Sequence, residues 1–233
     1  MAEPGKWQGK NKDQYLINFY LLKINNLIMK KLTTITIALT FMLFAKAQLN
    51  PGIKTGLTLA NQNRVDHEDY YDQSTKAKTK FHIGVFADMK IIENIYAQPG
   101  IMFTGKGAEH TSSYSGTKTD FIMSYMDLPL NVVYKYPLSF GKIYGGGGPL
   151  ISFATGGKIE QKGKTKKMFG DSNDDYKRGD FGLNLLAGVE LSNGIIAGIS
   201  YQTGFADIYK HEAAKIKNRT FNVSVGYLLK RGN

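Results

Sequence analysis

The chain contains no cysteine. That absence excludes disulfides, thiolate zinc sites and cysteine nucleophiles together, and it excludes a lipoprotein, whose cleavage site carries a lipidated cysteine. The chain also lacks an apolar run long enough to cross a bilayer as a helix. Its strongest candidate, Leu32 to Phe44, is about 13 residues, whereas a spanning helix takes about 20. Extending that run upstream to Leu16 would bury Lys23, Lys30 and Lys31, at about 2.5–3.5 kcal/mol each.

The apolar run fits a signal peptide instead. Lys30 and Lys31 supply the positive start, Leu32 to Phe44 the apolar stretch, and Ala45-Lys46-Ala47 the small residues two apart that a signal peptidase reads. Residues 29–47 are therefore read as a signal peptide, 1–28 as an upstream leader absent from the mature protein, and 48–233 as the mature domain, starting at Gln48. The removed segment holds seven lysines and two acids. The mature chain keeps 23 basic and 17 acidic residues, a net charge of +6. A sequence pI near 9.5 would suggest nucleic acid, but an exported protein does not ordinarily meet it, and no nucleic-acid partner is expected.

From Gln48 onward no amphipathic helix is evident; short segments of two-residue alternation recur between Gly, Asp, Asn, Lys and Ser clusters. Alternation puts one residue set on each face of a sheet. The first strand sets Ile53, Thr55, Leu57 and Leu59 against Lys54 and Thr58; the second sets Phe81, Ile83, Val85 and Met89 against His82, Phe86 and Asp88. The third, about Ile95 to Lys106, sets Ala97, Pro99, Ile101 and Phe103 against Gln98, Thr104 and Lys106. The fourth carries Met126, Leu128, Leu130, Val132 and Tyr134 against Asp127, Asn131 and Lys135. A glycine-rich fifth, about Ile143 to Thr155, offers Pro149, Ile151 and Phe153. The sixth sets Phe181, Leu183, Leu185, Ala187 and Val189 against Asp180, Asn184 and Glu190, and leads through Ser192-Asn193-Gly194 into the seventh, with Ala197, Ile199 and Tyr201. The eighth ends the pattern with Phe221, Val223, Val225, Tyr227 and Leu229.

The connections after strands one, three, five and seven, at 61–79, 107–119, 156–178 and 207–217, are long and polar, while the others are short. Short turns at one end and long loops at the other are the asymmetry of outer-membrane barrels. The expected fold is all-β, an eight-stranded antiparallel up-and-down transmembrane β-barrel with spanning strands of roughly 9–11 residues. Soluble barrels also have eight strands, and periodicity alone leaves open which face is wet. The signal peptide, the one-sided loops and the strand lengths favour apolar-out. Tyr134, Tyr201 and Tyr227 then suit an interfacial girdle, and Asp88, Asp127, Lys135, Asp180 and Glu190 become a candidate interior polar network, since buried charges need pairing.

The segments Gln98-Pro99-Gly100-Ile101-Met102-Phe103, Tyr125-Met126-Asp127-Leu128-Pro129-Leu130 and Asp180-Phe181-Gly182-Leu183-Asn184 resemble, in that order, the Gln-Pro, Tyr-x-x-x-Pro and Asp-Phe-Gly strands of the PorT-like outer-membrane β-barrel family, typical of Bacteroidetes. The resemblance implies the barrel fold and outer-membrane location, and through the family's named member an association with secretion and gliding. One departure concerns assembly. Outer-membrane strands often finish on an aromatic, whereas this chain runs on through Leu229, Lys230, Arg231, Gly232 and Asn233, so the barrel-assembly machinery must read a weaker or internal signal.

No catalytic, metal or cofactor site emerges from the motifs. Gly163-Lys164-Thr165 lacks the earlier glycine of a phosphate loop, because position 158 is a lysine, and has no strand-loop-helix context. Gly145 to Gly148 reads as room for crowded interior side chains or strand bending. Asp171, Asn173 and Asp175 copy the first ligands of a calcium loop, but Tyr176 replaces its glycine and Gly182 its terminal glutamate. A rim hydrolase or acyltransferase would draw on His110 with Ser112 and Ser113, or on His67 with Asp66 and Asp69. His82 is expected to be an interior hydrogen-bonded residue. The leading expectation is a non-enzymatic barrel that anchors external loops, with Lys158, Lys162, Lys164, Lys166 and Lys167 as contacts for an anionic partner such as lipopolysaccharide phosphates, or for a secretion-system or surface partner. A rim enzyme and a soluble periplasmic ligand-binding barrel are the alternatives.

Overall fold

In the computed structural model the described residues are 49–66, 74–112, 116–169, 176–210 and 214–229. The leader, the signal peptide with its cleavage site, the Asp171-Asn173-Asp175 triplet, His67, Ser113 and His211 lie outside them. Nine strands occur: β1 Leu49–Asp66, β2 Ser74–Ile92, β3 Ile95–Thr111, β4 Lys118–Leu138, β5 Gly141–Gln161, β6 Lys164–Lys167, β7 Gly179–Leu191, β8 Ile195–Gly204 and β9 Ala214–Leu228. Every pairing is antiparallel. β1 through β5 follow one another around the wall, β5 pairs β7, and β9 closes the ring on β1; the four-residue β6 only hairpins onto the end of β5. The ring therefore has eight strands.

Closure fixes the geometry. The ladder leaving β1 at Leu59 passes through Phe221, Tyr201, Leu185, Gly147, Val132, Ala97 and Met89 and returns to β1 at Leu49, ten residues below its start. With standard strand spacings a shear of ten over eight strands gives a tilt of about 40°, a backbone radius of roughly 8 Å and an axial rise of about 2.5 Å per residue. Such a lumen is just wide enough for side chains. About ten residues cross an apolar band about 25 Å tall.

The faces fall as the alternation requires for a membrane barrel. Phe81, Ile83, Val85, Leu130, Val132, Phe181, Leu185, Val223 and Val225 point outward and are exposed, Phe81 at 73%. Asp88, Asp127, Asn131, Lys135, Asp180, Asn184 and Glu190 are buried inside. The inverse, soluble arrangement is excluded by this placement, since it would leave a continuous wall of large apolar side chains in water.

The eight wall strands run from 10 residues in β8 to 21 in β4 and β5, and all but β8 exceed the 9–11 expected. Above the membrane the outer face meets water while the inner face carries apolar and polar residues together, Phe121 and Ile216 beside His110 and Asn218, so alternation fades from the sequence while the backbone ladder continues, and the strands absorb much of what reads as loop at 61–79 and 107–119. Exposed Tyr134, Tyr136, Phe140 and Tyr227 lie near the short turns; Phe81, Phe103, Phe153, Phe181 and Phe205 lie toward the opposite end. Tyr201 belongs to neither belt, because it pairs with Leu185 halfway up the wall.

Three layers fill the lumen. Phe86, Ile196 and Leu228 with Tyr144 make an apolar plug at the short-turn end. Phe121, Met123, Tyr125, Ala154, Met168, Phe169, Tyr176, Ile208 and Ile216 cap the opposite end. Polar side chains occupy the space between. Gly188 and Gly198 make the lower plug possible: a Cβ on either would lie 2.5 or 2.6 Å from the Tyr144 hydroxyl. At Gly146 and Gly148 a Cβ would come within 2.1 and 2.0 Å of carbonyl oxygens on β4, so this glycine run serves backbone approach.

Candidate functional site

The polar lumen is built by strand alternation bringing one inward residue from each strand to a common level. Lys135 on β4 is the lower hub: its Nζ donates to Asp88 Oδ2 at 2.8 Å and Glu190 Oε2 at 2.6 Å, and lies 4.5 Å from the Tyr96 ring centroid. Gln98 donates to the other Asp88 oxygen at 2.7 Å, and Lys142 stands 3.9 Å from the other Glu190 oxygen. Lys106 is the upper hub. It donates to Asp127 Oδ1 at 2.8 Å and Ser152 Oγ at 3.1 Å, beneath the Tyr125 ring. Asp180 accepts from Asn218 at 3.0 Å, and Asn184 donates to Asn131 at 2.8 Å.

Asp88, Lys135 and Glu190 thus meet in one cluster, Asp127 sits in a second, and Asp180 stands apart with Asn218. Lys106, Gln98 and Asn218 were missing from the sequence-derived set. Lys106 had a usable signal, because it shares its face with Gln98 and Thr104. Asn218 had none, lying between the loop read at 207–217 and the alternation that begins at Phe221, but now inside β9.

His82 is held in the middle. The Thr58 hydroxyl donates to Asn222 Oδ1 at 2.7 Å, so at 2.9 Å it must accept from His82 Nδ1–H. In a neutral ring Nε2 then accepts from the Ser224 hydroxyl at 2.8 Å. The network fixes the tautomer. His110 also turns inward, donating to Gln62 Oε1 at 3.4 Å with its ring edge-on to Phe121 at 4.8 Å.

The outer rim carries the remaining charge. Lys78 bridges Glu109 and Asp120, each at 2.9 Å. The hydrogen bond from Lys78 holds the Glu109 carboxyl below the usual carboxylate range and, with the one Lys78 donates to Asp120, raises the lysine above its own. The expected lysine loop is instead a hairpin: Lys158 pairs with Lys167, Ile159 with Lys166 and Gln161 with Lys164, turning at Lys162-Gly163 with positive φ at both. Pairing splits the lysines between faces. Lys158 and Lys167 share one, where Glu160 neutralises Lys158 at 2.6 Å; Lys164 and Lys166 share the other with Ile159, which packs on the upper apolar cluster. The backbone ladder explains the difference from a loop, since Lys-Thr-Lys-Lys has only to match four residues already extended on β5.

A wall that is apolar outside, charged inside and closed without an edge is also what the comparison with known families returns. The model of the outer membrane protein beta-barrel domain matches residues 40–210. The chain belongs to that family. Solved structures similar to the chain include Neisserial surface protein A, 13% identical over 77% of this chain and 97% of that one with a TM-score of 0.45. OprG of Pseudomonas aeruginosa is 10% identical over 78% and 97%, with a TM-score of 0.46. Ail of Yersinia pestis, solved with the heparin analogue sucrose octasulfate, is 12% identical over 77% and 99%, with a TM-score of 0.38. No curated protein matches the chain. As a member of this family, the chain is an outer-membrane β-barrel.

Proposed function

We propose that this barrel is a non-enzymatic anchor that holds a basic hairpin above the outer membrane to engage phosphates of lipopolysaccharide. The observation that carries the reading is the Lys158–Lys167 hairpin: a strand that begins in the wall continues past it, and the extension bears exposed lysines with one internal acid, Glu160. The filled lumen supports an anchor over a pore, with an apolar cluster at each end. Clustered cations attract phosphate over about a Debye length and lose that attraction as salt rises.

Replacing Lys162, Lys164, Lys166 and Lys167 with Gln is expected to leave folding intact and to weaken binding to purified lipopolysaccharide most at low ionic strength. Lys158→Gln alone is expected to do less, because Glu160 already occupies that charge. Equal binding by the fourfold variant across salt would reject the role. His110 turned into the barrel supports the non-enzymatic reading over a rim hydrolase. Export with cleavage before Gln48 belongs to the same proposal, and the mass of the membrane-inserted protein checks it.

The PorT-type resemblance suggests in addition an envelope or secretion-associated role. The polar residues of its motifs, however, are lumenal: Gln98 bonds Asp88, Asp127 bonds Lys106, Asp180 bonds Asn218 and Asn184 bonds Asn131. Those motifs speak for how the barrel is packed. A secretion role would have to be read from the outer connections, and cross-linking from the hairpin in intact cells tests it.

A further inference from the structure

Among the described residues the interior charges pair except for one carboxylate, Asp180, which is held by the Asn218 amide, and one cation. Lys135 meets Asp88 and Glu190, Lys142 approaches Glu190, and Lys106 meets Asp127. Lys54, an inward residue of β1, has no ion-pair or hydrogen-bonding partner among the described residues. Its stem lies among glycines, with Gly52 and Gly56 beside it in β1 and Gly84 and Gly226 opposite it on both neighbours. Its ammonium lies 5.5 Å from the Phe86 ring centroid, a contact that supplements a counter-charge without replacing one. Lys54 is half-buried, and an ammonium that loses part of its water without gaining a counter-charge is destabilised.

Beside Lys54 is a cavity of about 20 Å³, also lined by His82, Thr104, Ser200, Gln202 and Ser224. That is room for one atom-sized occupant. The lining offers donors. Ser200 Oγ accepts from Asn222, leaving its own proton to give, and Gln202 Oε1 accepts from Thr220, leaving its amide protons to give. Asn184, whose Oδ1 has no protein partner, also borders the cavity and would suit a water instead. Phosphate and carboxylate ligands are too large, so charge and size together select a monatomic anion.

We propose that the lumen holds a resident halide, chloride in the cell, bound between the Lys54 ammonium and the donors of this cavity as the counter-ion of an otherwise unpaired interior lysine. The ion is structural, a counter-charge within the lumen. Bromide is the probe. Crystals of the intact barrel grown in bromide are expected to give an anomalous peak in contact with Lys54 Nζ, and crystals of Lys54→Met, which keeps the stem length without the charge, none. In detergent, the thermal midpoint of the wild type should rise with chloride at constant ionic strength and stay flat with gluconate, which is too large for the cavity. Lys54→Met should lose that difference. A water without anomalous signal in the wild-type cavity, a peak that persists in Lys54→Met, or equal stabilisation by chloride and gluconate would each overturn the proposal. Should Lys54→Met fail to fold, the wild-type crystal and the anion series decide it alone.

Discussion

Replacing Lys135 with Met preserves the length and most of the volume of the side chain and removes only its charge. The consequence should be large. Lys135 is 1% exposed and holds two carboxylates, Asp88 at 2.8 Å and Glu190 at 2.6 Å. Without it Asp88 retains only the Gln98 amide, and Glu190 retains a half-exposed Lys142 at 3.9 Å. Removing one partner of a buried ion pair costs about 3–5 kcal/mol, because the residual charge is stranded, whereas replacing the whole set by neutral groups is often close to neutral. Lys135→Met should therefore lose about 3–5 kcal/mol, and the triple variant Lys135→Met, Asp88→Asn, Glu190→Gln should recover most of it. Reversible urea unfolding in lipid vesicles, analysed by linear extrapolation, measures both. A loss under about 1 kcal/mol for the single variant, or no recovery in the triple, would refute the claim that this cluster is a desolvated, mutually dependent unit.

Leu185→Arg, midway up the lipid face, is expected to cost about 2–4 kcal/mol in the same assay, while Asn184→Ser, losing one bond to Asn131, should cost about 1 kcal/mol. Equal costs would contradict the assignment of faces. At the rim, Glu109 has its folded value lowered by Lys78, so its contribution is present above the ordinary carboxylate range and lost as pH falls through the folded value. The stability gap between wild type and Glu109→Gln should thus close on acidification, and a gap that widens would reverse that sign. Gly198→Val should prevent Tyr144 from seating and lower the yield of folded, heat-modifiable barrel; a normal yield would mean that the lower plug tolerates repacking.

The membrane-spanning part of the fold was legible because lipid outside and packed polar groups inside force opposite chemistry on alternate residues. Leu183 to Val189 against Asp180, Asn184 and Glu190 shows this most clearly. Above the membrane that contrast disappears. The continuation of β1 to Asp66 and β9 down to Ala214 therefore left no mark, and Asn218, just before the alternation that begins at Phe221, gave no sign of facing the lumen. Interior carboxylates were visible as charges in strands, but their partners depend on register around the ring, which one-dimensional alternation does not contain. Lys54 illustrates the limit: the sequence puts it on the inner face, and only the closed barrel leaves it without an acid. The lysine run was visible as charge, whereas its division between two faces follows from the pairing of Lys158 with Lys167.

The central claim is that alternate residues of one wall strand face lipid and lumen in an outer-membrane barrel. Since the chain has no cysteine, any introduced one is unique. Leu183→Cys, Asn184→Cys and Leu185→Cys, each labelled with a small fluorophore after folding into vesicles containing doxyl-lipid quencher, read the facing directly. Strong quenching at 183 and 185, with 184 unlabelled or unquenched, is the predicted result; quenching at 184 with 183 and 185 in water, or no alternation at all, would contradict it.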